Sequence, residues 1–262
     1  MSERAYSTAG FERTVHRIDG VESVVYAIGS GDPLVYFHGG GTFHGFEWAR
    51  DLADAFRVVL PVHPNFGESG DADFAGLDDY TIHYEMLFAA LGLERFHLSG
   101  ASMGGHMAAR YAGEHPEEID RLVLVSPAGL ASGNVAIPDF SQVSPADLPG
   151  MFVADPAWIA PFWPADPSPE WQALRAREAE AAFRTREEPA LADAKLREAL
   201  WGFDRPALLL WGDADRIVPT GFIPEWRQAL PDAEVALIEG GGHLLLDEFP
   251  AAREAMRAFL LR

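Results

Sequence analysis

No cysteine occurs in the 262 residues, and lysine occurs once, at Lys195. The first absence excludes disulfides, cysteine nucleophiles and thiolate metal sites, and it fits a reducing compartment. The second excludes lysine-dependent chemistry everywhere but at that one position. No stretch approaches the roughly 18 uninterrupted apolar residues of a membrane span. The opening segment MSERAYSTAGFERTVH carries charges and no apolar core, unlike a secretory signal. Positive charge is scarce: 20 basic residues stand against 40 acidic ones, a net charge of −20. Such a surface repels phosphate backbones and anionic bilayers, so neither nucleic acid nor membrane is an expected partner. The expectation is a soluble, cytoplasmic protein whose acidity serves solubility and whose partner is a small molecule.

With 48% hydrophobic and 11% aromatic residues, the chain has what a folded globule needs. Its length admits one domain with a modest insertion. Short runs rich in Val, Ile and Leu fall at 14–18, 23–28, 34–41, 57–64, 96–100, 121–129, 207–213 and 234–242. Helix-like segments at 81–93 and 103–116 and a closing amphipathic PAAREAMRAFLLR alternate with them. Continuous apolar strands alternating with helices imply an α/β fold, a mostly parallel eight-stranded sheet covered on both faces. Residues 1–130 and 205–262 form its expected core. Between them, 131–204 has no strand-like run. It holds prolines at 138, 145, 149, 156, 161, 164, 167, 169 and 189, and aromatics including Phe140, Trp158, Phe162, Trp163 and Trp171. Its later half, 170–201, is helical in composition. This reads as a helical lid after strand six, packed over the sheet edge. Trp158, Phe162 and Trp163 either wall an apolar pocket or simply fasten the lid to the core.

Ligands of a parallel α/β sheet bind beyond the carboxyl ends of its strands, so the polar residues at those ends are the candidates. Four segments qualify. At 96–105, FHLSGASMGG sets a Gly-x-Ser-x-Gly between strand and helix, the context of a nucleophile elbow presenting Ser102. At 38–41, HGGG lets backbone N–H groups approach a reacting oxygen. Gly40 is the first candidate oxyanion donor, with Gly41 as fallback and the N–H of Met103 as its companion. The seventh strand ends in GDAD, offering Asp213 and Asp215 to orient a histidine; the sixth ends in SPAG with no carboxylate. The last strand runs into Gly240, Gly241, Gly242 and His243, a histidine placed for proton transfer near neutral pH. His106 and His115 also follow Ser102, but both fall on the helix that begins at the elbow. His38 is better placed to brace the HGGG loop.

Serine, then acid, then histidine is the chain order described for one fold in particular. HGGG, PNFGESG (64–70), GASMGG, GDADRIVP and GGHLLLDEFP, in that order, resemble the landmarks of the α/β-hydrolase superfamily in its small lidded branch. The resemblance covers nearly the whole chain. It implies that the acid is the fourth residue of G-x-x-D-x-x-x-P, Asp215 rather than Asp213, completing a Ser102, Asp215, His243 triad. It implies an acyl-enzyme mechanism that uses no metal or organic cofactor. Related dehalogenases and epoxide hydrolases use an aspartate nucleophile where this chain has serine. Epoxide hydrolases also place tyrosines in the lid, and all six tyrosines here precede it. The meta-cleavage C–C hydrolases share HGGG and the Ser-Met pair but follow the histidine with tryptophan, where this chain has Leu244. The expected activity is hydrolysis of a small, hydrophobic carboxylic ester. C–C bond hydrolysis and ligand reception on a hydrolase fold are the alternatives.

Overall fold

A computed structural model of the chain describes residues 7–136, 138, 142–144, 146–185, 193 and 195–262. Phe140, Pro145 and Pro189 of the expected lid lie outside the described residues. Eight strands form one sheet: β1 (Glu12–Ile18), β2 (Val21–Ile28), β3 (Asp32–Phe37), β4 (Phe56–Pro61), β5 (Phe96–Ala101), β6 (Ile119–Val125), β7 (Ala207–Gly212) and β8 (Glu234–Ile238). Their spatial order is β1-β2-β4-β3-β5-β6-β7-β8. β1 and β2 form an antiparallel hairpin over Asp19 and Gly20, whose φ angles of 44° and 85° are those an Asp-Gly turn supplies. β2 also runs antiparallel to β4, and every pairing from β4 through β8 is parallel. The apolar runs read from the sequence therefore sit where both faces are covered, and β7 is buried at all six positions.

Helices α1 (Leu77–Leu91), α2 (Met103–Glu114), α7 (Ile223–Ala229) and α9 (Pro250–Leu260) flank the sheet. The segment between β6 and β7 carries α3 (Leu148–Phe152), α4 (Pro156–Ile159), α5 (Pro169–Arg184) and α6 (Leu196–Ala199), and α8 (Leu245–Glu248) follows β8. Strand register decides where the chemistry can be. Phe37 pairs with Gly100, Ala101 with Val125, Val125 with Leu210 and Gly212 with Ile238. The loops after β3, β5, β7 and β8 thus leave the sheet at one edge and one height.

The run read as a strand over 34–41 ends at Phe37, because the three glycines turn out of the sheet to cross the elbow. Close packing there requires small residues. A Cβ on Gly100 would lie 2.1 Å from the Gly104 carbonyl, and one on Gly104 2.1 Å from that of Phe37. This is why glycines flank the serine: they let α2 dock directly on β3 and β5.

Candidate active site

Ser102 stands between β5 and α2 with φ 55° and ψ −119°, a conformation a side chain adopts only under compensation. Three backbone hydrogen bonds hold it there. Its N–H donates to Val125 O at 3.0 Å, and its carbonyl accepts from His106 N–H at 3.1 Å and Ala128 N–H at 3.0 Å. The cost of the strained turn is met by the sheet and helix on either side. The turn presents Ser102 to a cavity of about 410 Å³ at the sheet edge, within the range of small-molecule sites.

His243 lines the same cavity, and its Nδ1–H donates to Asp215 Oδ2 at 2.8 Å. Asp215 Oδ1 accepts from the N–H groups of Ile217 (2.8 Å) and Val218 (2.9 Å). Burial works to raise the Asp215 pKa, but the His243 ring and the donors around the carboxylate outweigh it and hold the group below its ordinary value. The carboxylate is thus charged, and it fixes the ring so that Nε2 is the free nitrogen. Asp213 does something else: its Oδ1 accepts from Gly240 N–H at 2.7 Å, stitching the turn that leads to His243. Of the two acids after β7, geometry brings only Asp215 to the histidine. The glycine run before His243 is a packing requirement, since a Cβ on Gly212 would meet Gly241 O at 2.2 Å.

Gly40, Gly41 and Met103 line the cavity beside Ser102. A Cβ on Gly39 would come within 3.5 Å of the serine Cβ, so the HGGG loop passes directly over the elbow. Met103 opens α2, and the first N–H groups of a helix have no partner within it. Two buried histidines brace the loop from below. His38 Nδ1–H donates to Gly39 O at 2.7 Å, and His38 Nε2 accepts from His63 N–H at 3.0 Å. His63 Nε2–H donates to His38 O at 2.9 Å, and its Nδ1 accepts from the Tyr84 hydroxyl. Burial pushes the His63 pKa down to about 3 and that of His38 well below its ordinary value, the His63 charge adding to the latter. Both rings are neutral, with each tautomer set by its partners. The sequence reading anticipates His38 as a brace but not His63, a lone histidine between prolines.

The pocket wall differs from expectation. Trp163 lines the cavity, whereas Trp158 and Phe162 do not: their rings pack on each other at 5.0 Å. Phe43, Phe152, Phe183 and Leu148 take their place in the wall. His106 also reaches the cavity, although it starts on the elbow helix, and its Nε2 meets Asp193 Oδ2 at 3.1 Å. Arg110 shares that carboxylate at 2.9 Å, so the pair ties α2 to the segment before α6.

Sequence reasoning also missed the polar anchors of α5. Glu178 is fully buried, its Oε1 accepting from the Thr42 hydroxyl at 2.5 Å and from Gly67 N–H at 3.1 Å. Arg175 Nη1 donates to Glu178 Oε2 at 2.5 Å. Arg177 donates to the carbonyls of Asn65, Gly67 and Ser69. The PNFGESG loop is therefore the seat of α5. A glutamate and an arginine at helical spacing toward the core were the only sequence signal. Among the described residues no helix is long and apolar enough to cross a membrane.

Residues 34–255 match the alpha/beta hydrolase family. The chain belongs to that family, and hydrolase activity is the chemistry that membership supports. It is similar to Lipase 1 of Psychrobacter immobilis, 25% identical over 257 residues that span 88% of this chain and 78% of the relative. An AB hydrolase superfamily protein of Bacillus subtilis (strain 168) is 30% identical over 232 residues, 82% of this chain and 86% of the relative. The solved structure of 2-hydroxy-6-oxo-6-phenylhexa-2,4-dienoate hydrolase from Rhodococcus sp. strain RHA1 aligns with a TM-score of 0.77 at 22% identity, covering 96% of this chain and 100% of that one. At that identity the likeness is one of fold.

Proposed function

We propose that this enzyme is a cytoplasmic serine hydrolase of small, largely apolar carboxylic esters, working through an acyl-enzyme. The observation that carries the reading is the 2.8 Å His243–Asp215 hydrogen bond opening on the same cavity as Ser102. In this mechanism Ser102 Oγ attacks the ester carbonyl while His243 Nε2 takes its proton. Asp215 keeps the ring oriented and stabilises the imidazolium. The N–H groups of Gly40 and Met103 receive the oxyanion, each worth about 100- to 1000-fold in rate. The imidazolium then protonates the departing alcohol, and His243 activates the water that releases the acid. No metal or organic cofactor is called upon. Residues 131–204 act as the lid over a core of 1–130 and 205–262, and a wall of Phe43, Phe152 and Trp163 supports an apolar acyl or aryl group. The absence of cysteine supports the cytoplasmic placement.

The test is a panel of p-nitrophenyl esters of increasing chain length with fluorophosphonate labelling. Wild-type protein should hydrolyse the esters and be labelled at Ser102. Ser102→Ala should lose labelling and at least about a thousandfold in kcat while remaining folded. Retained activity in that variant would sink the assignment. Faster turnover of a vinylogous 1,5-diketone than of any ester would replace it with C–C bond hydrolysis.

A further inference from the structure

Three histidine–aspartate pairs open on the cavity, and two of them are fully spent. Asp215 serves His243 and two backbone N–H groups. Asp193 serves His106, Arg110 and the N–H groups of Lys195 and Leu196. The third pair is different. His44 Nδ1 meets Asp247 Oδ1 at 3.2 Å, with the two side chains only 10% and 7% exposed. Among the described residues, the other carboxylate oxygen of Asp247 and the Nε2 of His44 have no hydrogen-bond partner. Tyr36, 4% exposed, lines the cavity beside them, and its hydroxyl has no partner among the described residues either.

Polar side chains that line a cavity with hydrogen-bonding capacity still unused are what a ligand's polar group would satisfy. We infer that Tyr36, His44 and Asp247 form a subsite that binds a hydroxyl group carried by the substrate. The hydrogen-bond inventory selects that group. Asp247 is an acceptor with a negative charge. With Nδ1–H turned to Asp247, His44 offers Nε2 as a second acceptor, and the Tyr36 hydroxyl can both donate and accept. A ligand hydroxyl supplies the missing donor and accepts a hydrogen bond from the phenol in return. A carboxylate has no proton to give and would face the charge of Asp247. Burial, with the Asp247 charge second, raises the Tyr36 pKa well above its ordinary value, which keeps the phenol protonated and able to donate. Much of the rest of the wall, including Leu148, Phe152 and Trp163, is apolar, and the Arg175 guanidinium within it is already held by Glu178. The site is therefore suited to an ester with an apolar body and one remote hydroxyl.

This assignment rests on the serine-ester reading of the same cavity, and the experiment separates the two. Matched p-nitrophenyl esters with chains of four, six and eight carbons would end in methyl, hydroxyl or carboxylate. A second set would carry the hydroxyl on the alcohol side. Two quantities are read: kcat/KM in protein with Ser102 intact, and affinity in Ser102→Ala protein, each as the ratio of hydroxylated to plain ester. At the best chain length Tyr36→Phe should lower that ratio about tenfold, and Asp247→Leu should do the same. Asp247→Asn should raise the relative affinity for the carboxylate ester about tenfold, a gain that a merely structural role would not produce. Ratios that stay within twofold of wild type in all three variants overturn the subsite. Failure of Ser102 labelling and of all ester turnover would overturn the serine-ester reading instead, while the affinity ratios still decide whether the hydroxyl is bound.

Discussion

Ser102 and Asp215 hang from β5 and β7, strands that are hydrogen-bonded on both sides and buried almost throughout. Trp163 and Glu178 belong to an insert fastened to that frame by polar contacts at several places, with apolar side chains such as Val153 and Leu196 between them. Leu244 N–H donates to Phe152 O at 2.8 Å, Glu178 joins the loops after β3 and β4, and Asp193 joins α2. The difference separates two demands on one cavity. Reacting groups must hold position to within a fraction of an ångström, which a close-packed parallel sheet provides. If the insert is the proposed lid, its contacts must break one at a time to admit substrate, and hydrogen bonds over loops are such contacts.

If the strand ends carry the chemistry, the largest effect lies in the choice between their two carboxylates. Asp215→Asn leaves the shape intact but destroys the fixed tautomer of His243, and kcat should fall about 10⁴-fold with little change in melting temperature. Asp213→Asn keeps an acceptor for Gly240 N–H and should stay within about threefold of wild type. Steady-state kinetics on one ester decides. Equal losses in the two variants would break the assignment of separate duties to these acids.

The insert answers to a different substitution. Glu178→Ala leaves Arg175 without its ion-pair partner and the donors of Thr42 and Gly67 unmet, which should cost about 3 kcal/mol in denaturant unfolding. Because Thr42 follows the HGGG loop, kcat/KM should drop as well, and Glu178→Gln should recover part of both. A fully active, fully stable Glu178→Ala protein would show that the insert is held by its apolar contacts alone.

Most of the frame was legible because it is written in local pattern. A run such as ALLLWG, which became β7, has no charged residue at any position, and only a strand covered on both faces needs that. The candidate residues were legible because strand ends carry Gly-Ala-Ser102, Gly-Asp-Ala-Asp215 and Gly-His243, although only the family resemblance favours Asp215 over Asp213. The insert's anchors were not, since Thr42 and Glu178 are 136 residues apart and neither sits in a periodic motif. Trp158 and Trp163 looked equivalent in sequence, five residues apart. Only the short helix α4 and the turn after it decide that one ring faces the cavity and the other faces Phe162. His63 was hidden for a related reason: its role exists only once β4 lies beside β3.

Acid should set the two regions apart. His38, His63 and His83 are neutral and buried, with the last two pushed down to about 3 and about 4, burial being the main cause in each. Their native pKa values lie below the unfolded value, so the unfolded chain takes up protons that the native one refuses. Their contribution to stability is intact above about pH 6.5 and declines as pH falls, by at most about 1.4 kcal/mol per pH unit for each ring. Asp193 loses its contribution in the same direction but only at lower pH. Burial alone would raise its pKa, but His106 and Arg110 bring it down to about 2, so the insert's contact with α2 persists through the same range. Hydrogen-exchange protection, corrected for the intrinsic pH dependence of exchange, should therefore fall first at β3 and the HGGG loop between pH 6.5 and 5. Earlier loosening at residues 193–200 would reverse the comparison.

The smallest effect concerns the two tryptophans. Trp163 lines the cavity and packs at 5.4 Å from both Phe43 and Trp171, spanning the boundary between frame and insert. Trp158 contributes no wall. Removing the Trp163 ring should strip apolar contact from a bound acyl chain and raise KM for hydrophobic esters about five- to tenfold, with kcat within about twofold. Trp158→Ala should leave KM within about twofold. The contrast should grow with chain length, because longer chains bury more surface against the ring. A KM that rises equally in both variants would mean that the rings act only by holding the insert in place, and the wall would then have to be sought in Phe43, Leu148, Phe152 and Phe183.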